Sequence, residues 1–111
     1  MASSKTLSIA KDYSPYVAGR YETDGEFNGE KFRKKYLIEA LKHYDQVILD
    51  VDGLAGFPSS FWEEVTGGLI RDGFSADEVN KKLYIKTTNK SFEPYVALAY
   101  KYIEEEQNRK K

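Results

Sequence analysis

Two pairs of polar residues could carry chemistry. Asp50 and Asp52 stand two positions apart at the end of an apolar run, Val47-Ile48-Leu49-Asp50-Val51-Asp52-Gly53. In a strand this spacing directs both carboxylates to the same face, where they could hold Mg²⁺ or act as general acid and base. Ser59 and Ser60 follow a loop that contains glycine and proline. A hydroxyl in such a place can be phosphorylated or can cap a helix.

Each pair also has a structural interpretation. Asp52 precedes Gly53, which is typical of a turn, and Asp50 could instead pair with a loop residue such as Arg20. Ser60 and Glu63 fit the S-x-x-E capping box, which satisfies free N–H groups at a helix start. This assignment leaves the Ser59 hydroxyl outside the cap.

Aromatic residues surround the two serines. Phe57 precedes them, and Phe61 and Trp62 follow directly. Because adjacent residues of a helix point in different directions, we expect one of Phe61 and Trp62 to fill the core and the other to lie at the surface. An exposed aromatic side chain beside Ser59 would anchor a protein partner, since aromatic residues dominate binding energetics.

The elements that must position these residues follow from the spacing of apolar side chains. The run 47–51 is typical of a strand covered on both faces and predicts the central strand. Alternation predicts further strands at 6–10 and 83–87, and helical periodicity predicts helices over 30–44, 60–71, 75–82 and from Ser91 onward. Ser75, in a second capping box with Glu78, and Ser91 are predicted to cap the last two of these helices. A short helix after Ser14, a loop over 19–29 with a strand or hairpin at 20–27, and a frayed end over 104–111 complete the prediction. Strands that alternate with helices indicate a small α/β sheet with helices packed against it, formed by residues 1–111 as a single domain.

Two features of the predicted helix 60–71 have structural interpretations. Glu63 and Glu64 lie in its first turn, where negative charge stabilises the helix N-terminus. Gly67 and Gly68 each cost ~1 kcal/mol relative to Ala inside a helix, which indicates close packing of this helix onto the sheet or a partner.

The composition narrows the classes of function. There are 17 Lys+Arg and 18 Asp+Glu residues, a net charge of −1 that argues against a dedicated nucleic-acid binder. The basic run at 31–35 is interpreted as a solvated helix face. The absence of Cys excludes thiolate chemistry, and the one histidine, His43, has no identifiable catalytic partner. Glycines are not followed by the Lys-Ser/Thr of a P-loop, so we expect no cofactor.

No apolar run approaches the ~20 residues of a membrane span, and residues 1–10 lack a signal-peptide pattern, so a cytoplasmic protein with no membrane partner is expected.

Two sets of residues resemble known families. The order strand, Asp-Gly turn and Ser-Ser at a helix start, over 49–60, resembles the phosphorylation loop of STAS domains, the anti-sigma-factor antagonist fold. The chain resembles more specifically the bacterial STAS-like family of unknown function. The residues that carry this second resemblance are Gly19-Arg20-Tyr21, Asp24-Gly25, Gly29-Glu30, Phe32-Arg33, Ser59-Ser60-Phe61, Glu63-Glu64 and Gly67-Gly68-Leu69.

The resemblance implies a role in regulation. Antagonists of this class bind the ATPase-fold kinase of a partner-switching module, and the first Ser of their Ser-Ser or Ser-Thr pair is phosphorylated, which maps onto Ser59. Those antagonists carry an Asp immediately before this Ser, whereas this chain has Pro58, so slow phosphorylation or none is expected.

Three hypotheses of function follow. The leading one is a non-enzymatic regulatory interaction domain that docks a protein partner, such as an ATPase-fold kinase, through the loop 52–60 and the helix that follows. The alternative is a small metal-dependent hydrolase or phosphoryl-transfer enzyme that uses Asp50 and Asp52. In the third, the 9 tyrosines build a homodimer surface.

Overall fold

A three-stranded parallel sheet organises the chain, for which the structure, a computed structural model, describes residues 3–110. The strands are β1 (Ser4–Ser8), β2 (Gln46–Asp50) and β3 (Leu83–Lys86), with β2 in the middle. Leu7 lies beside Leu49, which lies beside Ile85. Parallel strands need long crossover connections, and helices supply them here. The predicted α/β sheet and its central strand are therefore confirmed.

The helices that flank the sheet begin and end close to the predicted positions. Helix α1 spans residues 29–43 and has a π-helical turn at Arg33–Leu37. Helix α2 spans residues 59–71 and has a π-helical turn at Glu63–Gly67. Helices α3 (Ala76–Lys82) and α4 (Glu93–Arg109) follow. Among residues 3–110, none of the helices combines the length and the apolar character that crossing a membrane requires.

The sheet buries one face, which corrects the expectation that the central strand is covered on both. Val47, Leu49 and Ile85 are buried on the helix side. On the other face Ile48 is only half-buried, and its neighbour Tyr84 is 54% exposed. The aliphatic run 47–51 indicated a strand correctly. However, an aliphatic residue in the middle of a small sheet can be half-buried by its strand neighbours alone.

Two predicted helix caps differ in outcome. The Ser75 side chain accepts a hydrogen bond from Glu78 N at 3.1 Å and caps α3 as expected. The cap by Ser60 is wrong, because Trp62 N donates to the Pro58 carbonyl and α2 therefore begins at Ser59. Pro58 occupies the cap position and supplies no side-chain hydrogen bond.

The segments around the sheet correct three local predictions. A helical turn at Ile9–Tyr13 follows β1 directly, in place of a helix after Ser14. The loop 19–29 contains a 3-10 turn, Glu22–Asp24, where a strand or hairpin was predicted. Asn89 caps the turn Lys90–Phe92 before α4, a role that was predicted for Ser91.

The C-terminal segment is helical, although the sequence predicted a frayed end over 104–111. Helix α4 continues to Arg109, and Glu106 is only 5% exposed. Lys110 Nζ donates to the Ile70 carbonyl at 2.7 Å. Long-range contacts to α2 thus hold this charged segment. Lys111, the last residue of the predicted tail, lies outside the described residues, as do Met1 and Ala2 of the N-terminal segment.

Candidate functional site

The loop 52–60 connects β2 to α2 and is held in place at several points. Gly53 has a φ of 91°, a conformation that other residues rarely adopt. Leu54 is buried, and Ala55 N donates to the Pro15 carbonyl at 2.8 Å. Ser59, the first residue of α2, is exposed, and Ser60 is half-buried. The loop therefore presents the Ser59 hydroxyl from a fixed backbone.

The carboxylates of Asp50 and Asp52 serve as hydrogen-bond acceptors for the backbone and for two threonines. Asp50 Oδ1 accepts from Asp52 N at 3.0 Å. Asp52 accepts from Thr87 Oγ1 and from Thr88 Oγ1, both at 2.7 Å, and from Thr88 N. Hydrogen bonds from Thr87 and then Thr88 hold the pKa of Asp52 below its ordinary value.

These contacts favour the turn interpretation of Asp52, because they tie the end of β2 to the segment after β3. Arg20, the suggested partner of Asp50, pairs with Glu63 instead. Among residues 3–110, no group of three Asp, Glu, His or Cys side chains is placed to hold a metal ion. No contact in the described part of the chain thus favours the metal-dependent alternative.

Phe61 and Trp62 are both fully buried, so the expectation that one of them reaches the surface is wrong. The reason is that α2 is covered on two sides. The Phe61 ring lies 6.2 Å from the ring of Phe32 on α1. The Trp62 ring stacks on Phe57 of the loop, with ring centroids 4.4 Å apart.

An exposed aromatic residue nevertheless lies beside Ser59, and it comes from α4. Tyr95 is 48% exposed and its ring lies 5.6 Å from the ring of Phe57. Between α2 and α4 lies a cavity of about 220 Å³, named here the aromatic cleft. Its lining residues are Phe57, Ser59, Trp62, Tyr95, Leu98 and Tyr102.

The indole of Trp62 contains a buried polar group without a partner. Its Nε1–H donates no hydrogen bond within the described residues, although the side chain is fully buried. Burying an unsatisfied N–H donor costs about 1–3 kcal/mol. The Trp62 side chain also lines the aromatic cleft, the cavity that Ser59 shares with Phe57 and Tyr95.

A second group of side chains forms an arginine–carboxylate network on the neighbouring part of α2. Arg33 is 4% exposed, and its Nη1 donates to both the side chain and the carbonyl of Glu64 at 2.6 Å. Arg71 contacts Glu63, Glu64 and Glu106. Arg33 is therefore buried inside the protein, which corrects its assignment to a solvated helix face.

Glycines make room for this network. A Cβ on Gly68 would overlap the guanidinium of Arg33, and a Cβ on Gly67 would lie 2.6 Å from Glu63 Oε2. The predicted close packing at these two positions is thus packing against charged side chains of the network. Arg33 and Glu63 each lie in a π-helical turn, a widened geometry that is often found at functional sites.

The loop residues 19–25, which carry part of the family resemblance, position Arg20 beside the network. Asp24 Oδ2 accepts hydrogen bonds from the backbone N–H of Tyr21 and of Arg20, and these hydrogen bonds, that from Tyr21 most, lower the pKa of Asp24. Gly19 and Gly25 have φ values of 78° and 146°, so the turn around Asp24 depends on both glycines. Arg20 Nη1 then reaches Glu63 on α2.

Electrostatics within the network keep Glu63 ionised. Burial alone would raise the pKa of Glu63, but hydrogen bonds from Arg71 and Arg20 outweigh it and lower the pKa. The same hydrogen bond to Glu63 raises the pKa of Arg71 above its ordinary value. Glu63 therefore pairs with the partly exposed Arg20 and Arg71, and Glu64 pairs with the buried Arg33, beyond the expected interaction with the helix N-terminus.

A cavity of about 490 Å³, named here the arginine cavity, opens beside the network. It is lined by Arg20, Tyr21, Glu63, Arg71, Tyr102, Glu105 and Arg109. Tyr102 also lines the aromatic cleft, so the two cavities are neighbours on α4. Sequence reasoning missed Arg71 and Arg109. Only the spacing of Glu63, Gly67 and Arg71, four residues apart on one helix face, could have indicated part of this arrangement.

The family comparison places the chain among STAS-like proteins. Residues 28–93, more than half of the chain, match the family described as STAS-like domain of unknown function (DUF4325). The matched part includes the loop 52–60 and α2, while the loop motif at 19–25 lies outside it. No curated protein and no solved structure matches the chain. The resemblance to the STAS-like family of unknown function is thus confirmed, and the chain belongs to this family.

Proposed function

We propose that this STAS-like domain has a non-enzymatic regulatory role and docks a protein partner through the loop 52–60 and the first turns of α2. The observation that carries the proposal is the aromatic cleft. Exposed Tyr95 and half-buried Phe57 stand beside the exposed Ser59 hydroxyl around a cavity of about 220 Å³. Aromatic side chains beside small cavities often contribute most of the binding energy of a protein–protein interface.

The fixed backbone of the loop supports this role. Leu54 is buried, Ala55 N is bonded to the Pro15 carbonyl, and Asp52 is bonded to two threonines. A loop that is already ordered loses little conformational entropy on binding, so more of the interaction energy appears as affinity.

Ser59 is the proposed point of regulation. A phosphate here adds nearly two negative charges at the first residue of α2, where the helix N-terminus stabilises them. The same charges would have to be desolvated when a partner covers the cleft. Phosphorylation is therefore proposed to weaken docking, and the resemblance to antagonists suggests an ATPase-fold kinase as partner.

Site-specific photo-crosslinking in cells of the source organism tests the docking surface. A photoreactive amino acid replaces Tyr95 in one variant, and replaces the similarly exposed Tyr84 of the bare sheet face in the control. The proposal predicts a discrete crosslinked protein at position 95 that is missing at position 84. That protein, once purified, should bind the chain, and Ser59→Asp should weaken the complex. Equal crosslinking at both positions, or unchanged binding of Ser59→Asp, contradicts the proposal.

The kinase part of the proposal has its own test. The chain is incubated with ATP and the crosslinked protein, and its intact mass is measured alongside that of Ser59→Ala. With Pro58 in place of the acidic residue, we expect slow addition of one phosphate that Ser59→Ala abolishes. Rapid phosphorylation of Ser59→Ala would assign the modification to another residue.

A further inference from the structure

One face of α4 joins the aromatic cleft to the arginine cavity. Leu98, Tyr102, Glu105 and Arg109 follow Tyr95 at intervals of three or four residues and all line one cavity or the other. Residues at these intervals share one side of a helix. At 1.5 Å per residue, the face from Tyr95 to Arg109 is about 21 Å long. The two cavities therefore lie next to each other along one face of α4, with Tyr102 lining both, and are together named here the groove.

The end of the groove at Tyr95 suits an apolar side chain. Its volume of about 220 Å³ corresponds to roughly seven water molecules at about 30 Å³ each. The rings of Trp62 and Tyr95 are each already stacked on Phe57, with centroids 4.4 and 5.6 Å from its centroid. This stack leaves no gap into which a flat nucleobase could insert, so an amino-acid side chain fits better than a nucleotide.

The other end of the groove offers unused hydrogen-bond donors. Within residues 3–110, the side chains of Arg20 and Arg109 each donate through Nη1 alone, to Glu63 and Glu106. Both oxygens of Glu63 are engaged by Arg20 and Arg71. The guanidinium groups of Arg20 and Arg109 thus keep free N–H groups. Apart from Glu63, the one carboxylate among the residues that line this cavity is that of Glu105. A carboxylate of a partner could be held there by two parallel hydrogen bonds from one arginine.

We infer that the partner docks as a peptide segment that places an apolar side chain in the aromatic cleft and an acidic side chain at Arg20 and Arg109. The distance along α4 from Leu98 to Glu105 and Arg109 puts the two side chains roughly 10–16 Å apart. This inference rests on the proposed function, because it concerns the same surface, and it adds the chemistry of the partner.

A library of random 16-residue peptides displayed on phage tests the inference on the full chain. Enriched peptides are synthesised and titrated while the emission of Trp62, the one tryptophan, is followed. We expect the enriched peptides to share a large apolar residue and an Asp or Glu. Tyr95→Ala and Arg109→Glu should each weaken binding at least about tenfold. The matched controls Tyr84→Ala and Lys101→Glu, on exposed positions outside the groove, should change binding less than about twofold.

Several results would overturn the inference. Enriched peptides without an acidic residue, or binding that survives Arg109→Glu in a variant with an unchanged thermal melt, contradict the acidic contact. If no peptide is enriched and ATP changes the emission of Trp62, the groove binds a nucleotide and the inference is wrong. If peptide binding is lost in Ser59→Asp but kept in Tyr95→Ala and Arg109→Glu, the proposed docking surface is retained and the inference about the groove is wrong. Binding unaffected by all three variants contradicts both.

Discussion

Glu64 lies at the centre of the arginine–carboxylate network, and replacing it with Gln tests how much this network stabilises the fold. The side chains of Glu64 and Arg33 are 4% and 5% exposed. Glu64 Oε2 accepts from Arg33 at 2.6 Å, and Oε1 accepts from Arg71 at 3.2 Å. Gln keeps the shape but removes the charge, so Arg33 retains Asp72 as its one charged partner within the described residues.

The expected loss follows from the burial of the pair. Removing one partner of a buried ion pair costs about 3–5 kcal/mol, because the other charge remains buried. Since Gln can still accept one hydrogen bond and Asp72 remains, we expect the lower value, about 3 kcal/mol. For a domain of this length, about 4 °C per kcal/mol converts this loss to a melting temperature lower by roughly 12 °C.

Urea unfolding followed by Trp62 emission measures this loss, with the free energy of unfolding obtained by linear extrapolation. The control is Glu39→Gln, which removes an exposed carboxylate paired with His43 at 3.3 Å. An exposed pair contributes less than about 1 kcal/mol, so the control should unfold almost as the parent does. If Glu64→Gln and Glu39→Gln lose the same free energy, the network does not stabilise the fold as argued.

Three further substitutions have definite expected outcomes. Gly68→Ala should lower the thermal midpoint, since its Cβ overlaps the Arg33 guanidinium, whereas Gly56→Ala meets open space and should leave the midpoint unchanged. Ser75→Ala should cost ~1 kcal/mol through the lost cap of α3, and Ser60→Ala, which removes no cap, should cost little in the same urea titration. The pKa of Asp52 is lowered in the folded state, so its contribution is present above its ordinary value and is lost as the pH falls below about 3.8. Asp52→Asn should therefore flatten the loss of stability below that pH in acid titrations followed by circular dichroism, and an equally steep loss would contradict the role of Thr87 and Thr88.

Local patterns in the sequence predicted the elements that depend on neighbouring residues. The aliphatic run at 47–51 indicated β2, and the apolar stripe at 30–44 indicated α1, because both follow from the periodicity of a single element. The Ser75 cap was also predictable, since it needs only residues three positions apart. The Ser60 cap failed for a local reason as well. The Pro58 carbonyl accepts the first helical hydrogen bond, so α2 begins one residue earlier than the capping box implied.

The parts of the candidate site that join distant segments were not predictable from the pattern. Phe61 and Trp62 are both buried because α1 and the Phe57 loop cover different sides of α2, which depends on the topology. The partner of Arg33 lies on another helix, and no local spacing links the two. The exposed aromatic residue beside Ser59 comes from α4, far along the chain, whereas the sequence pattern placed it on α2.

The docking surface is the central claim, and the indole N–H resonance of Trp62 tests it most directly. The chain has one tryptophan, so ¹⁵N labelling produces a single indole signal. The partner found by crosslinking is titrated into the labelled chain, and the amide signals of Ser59, Tyr95 and Tyr84 are followed together with the indole. The account predicts that the indole, Ser59 and Tyr95 signals move while that of Tyr84 stays in place. Movement of Tyr84 on the bare sheet face, with the indole and Ser59 signals unchanged, would contradict it.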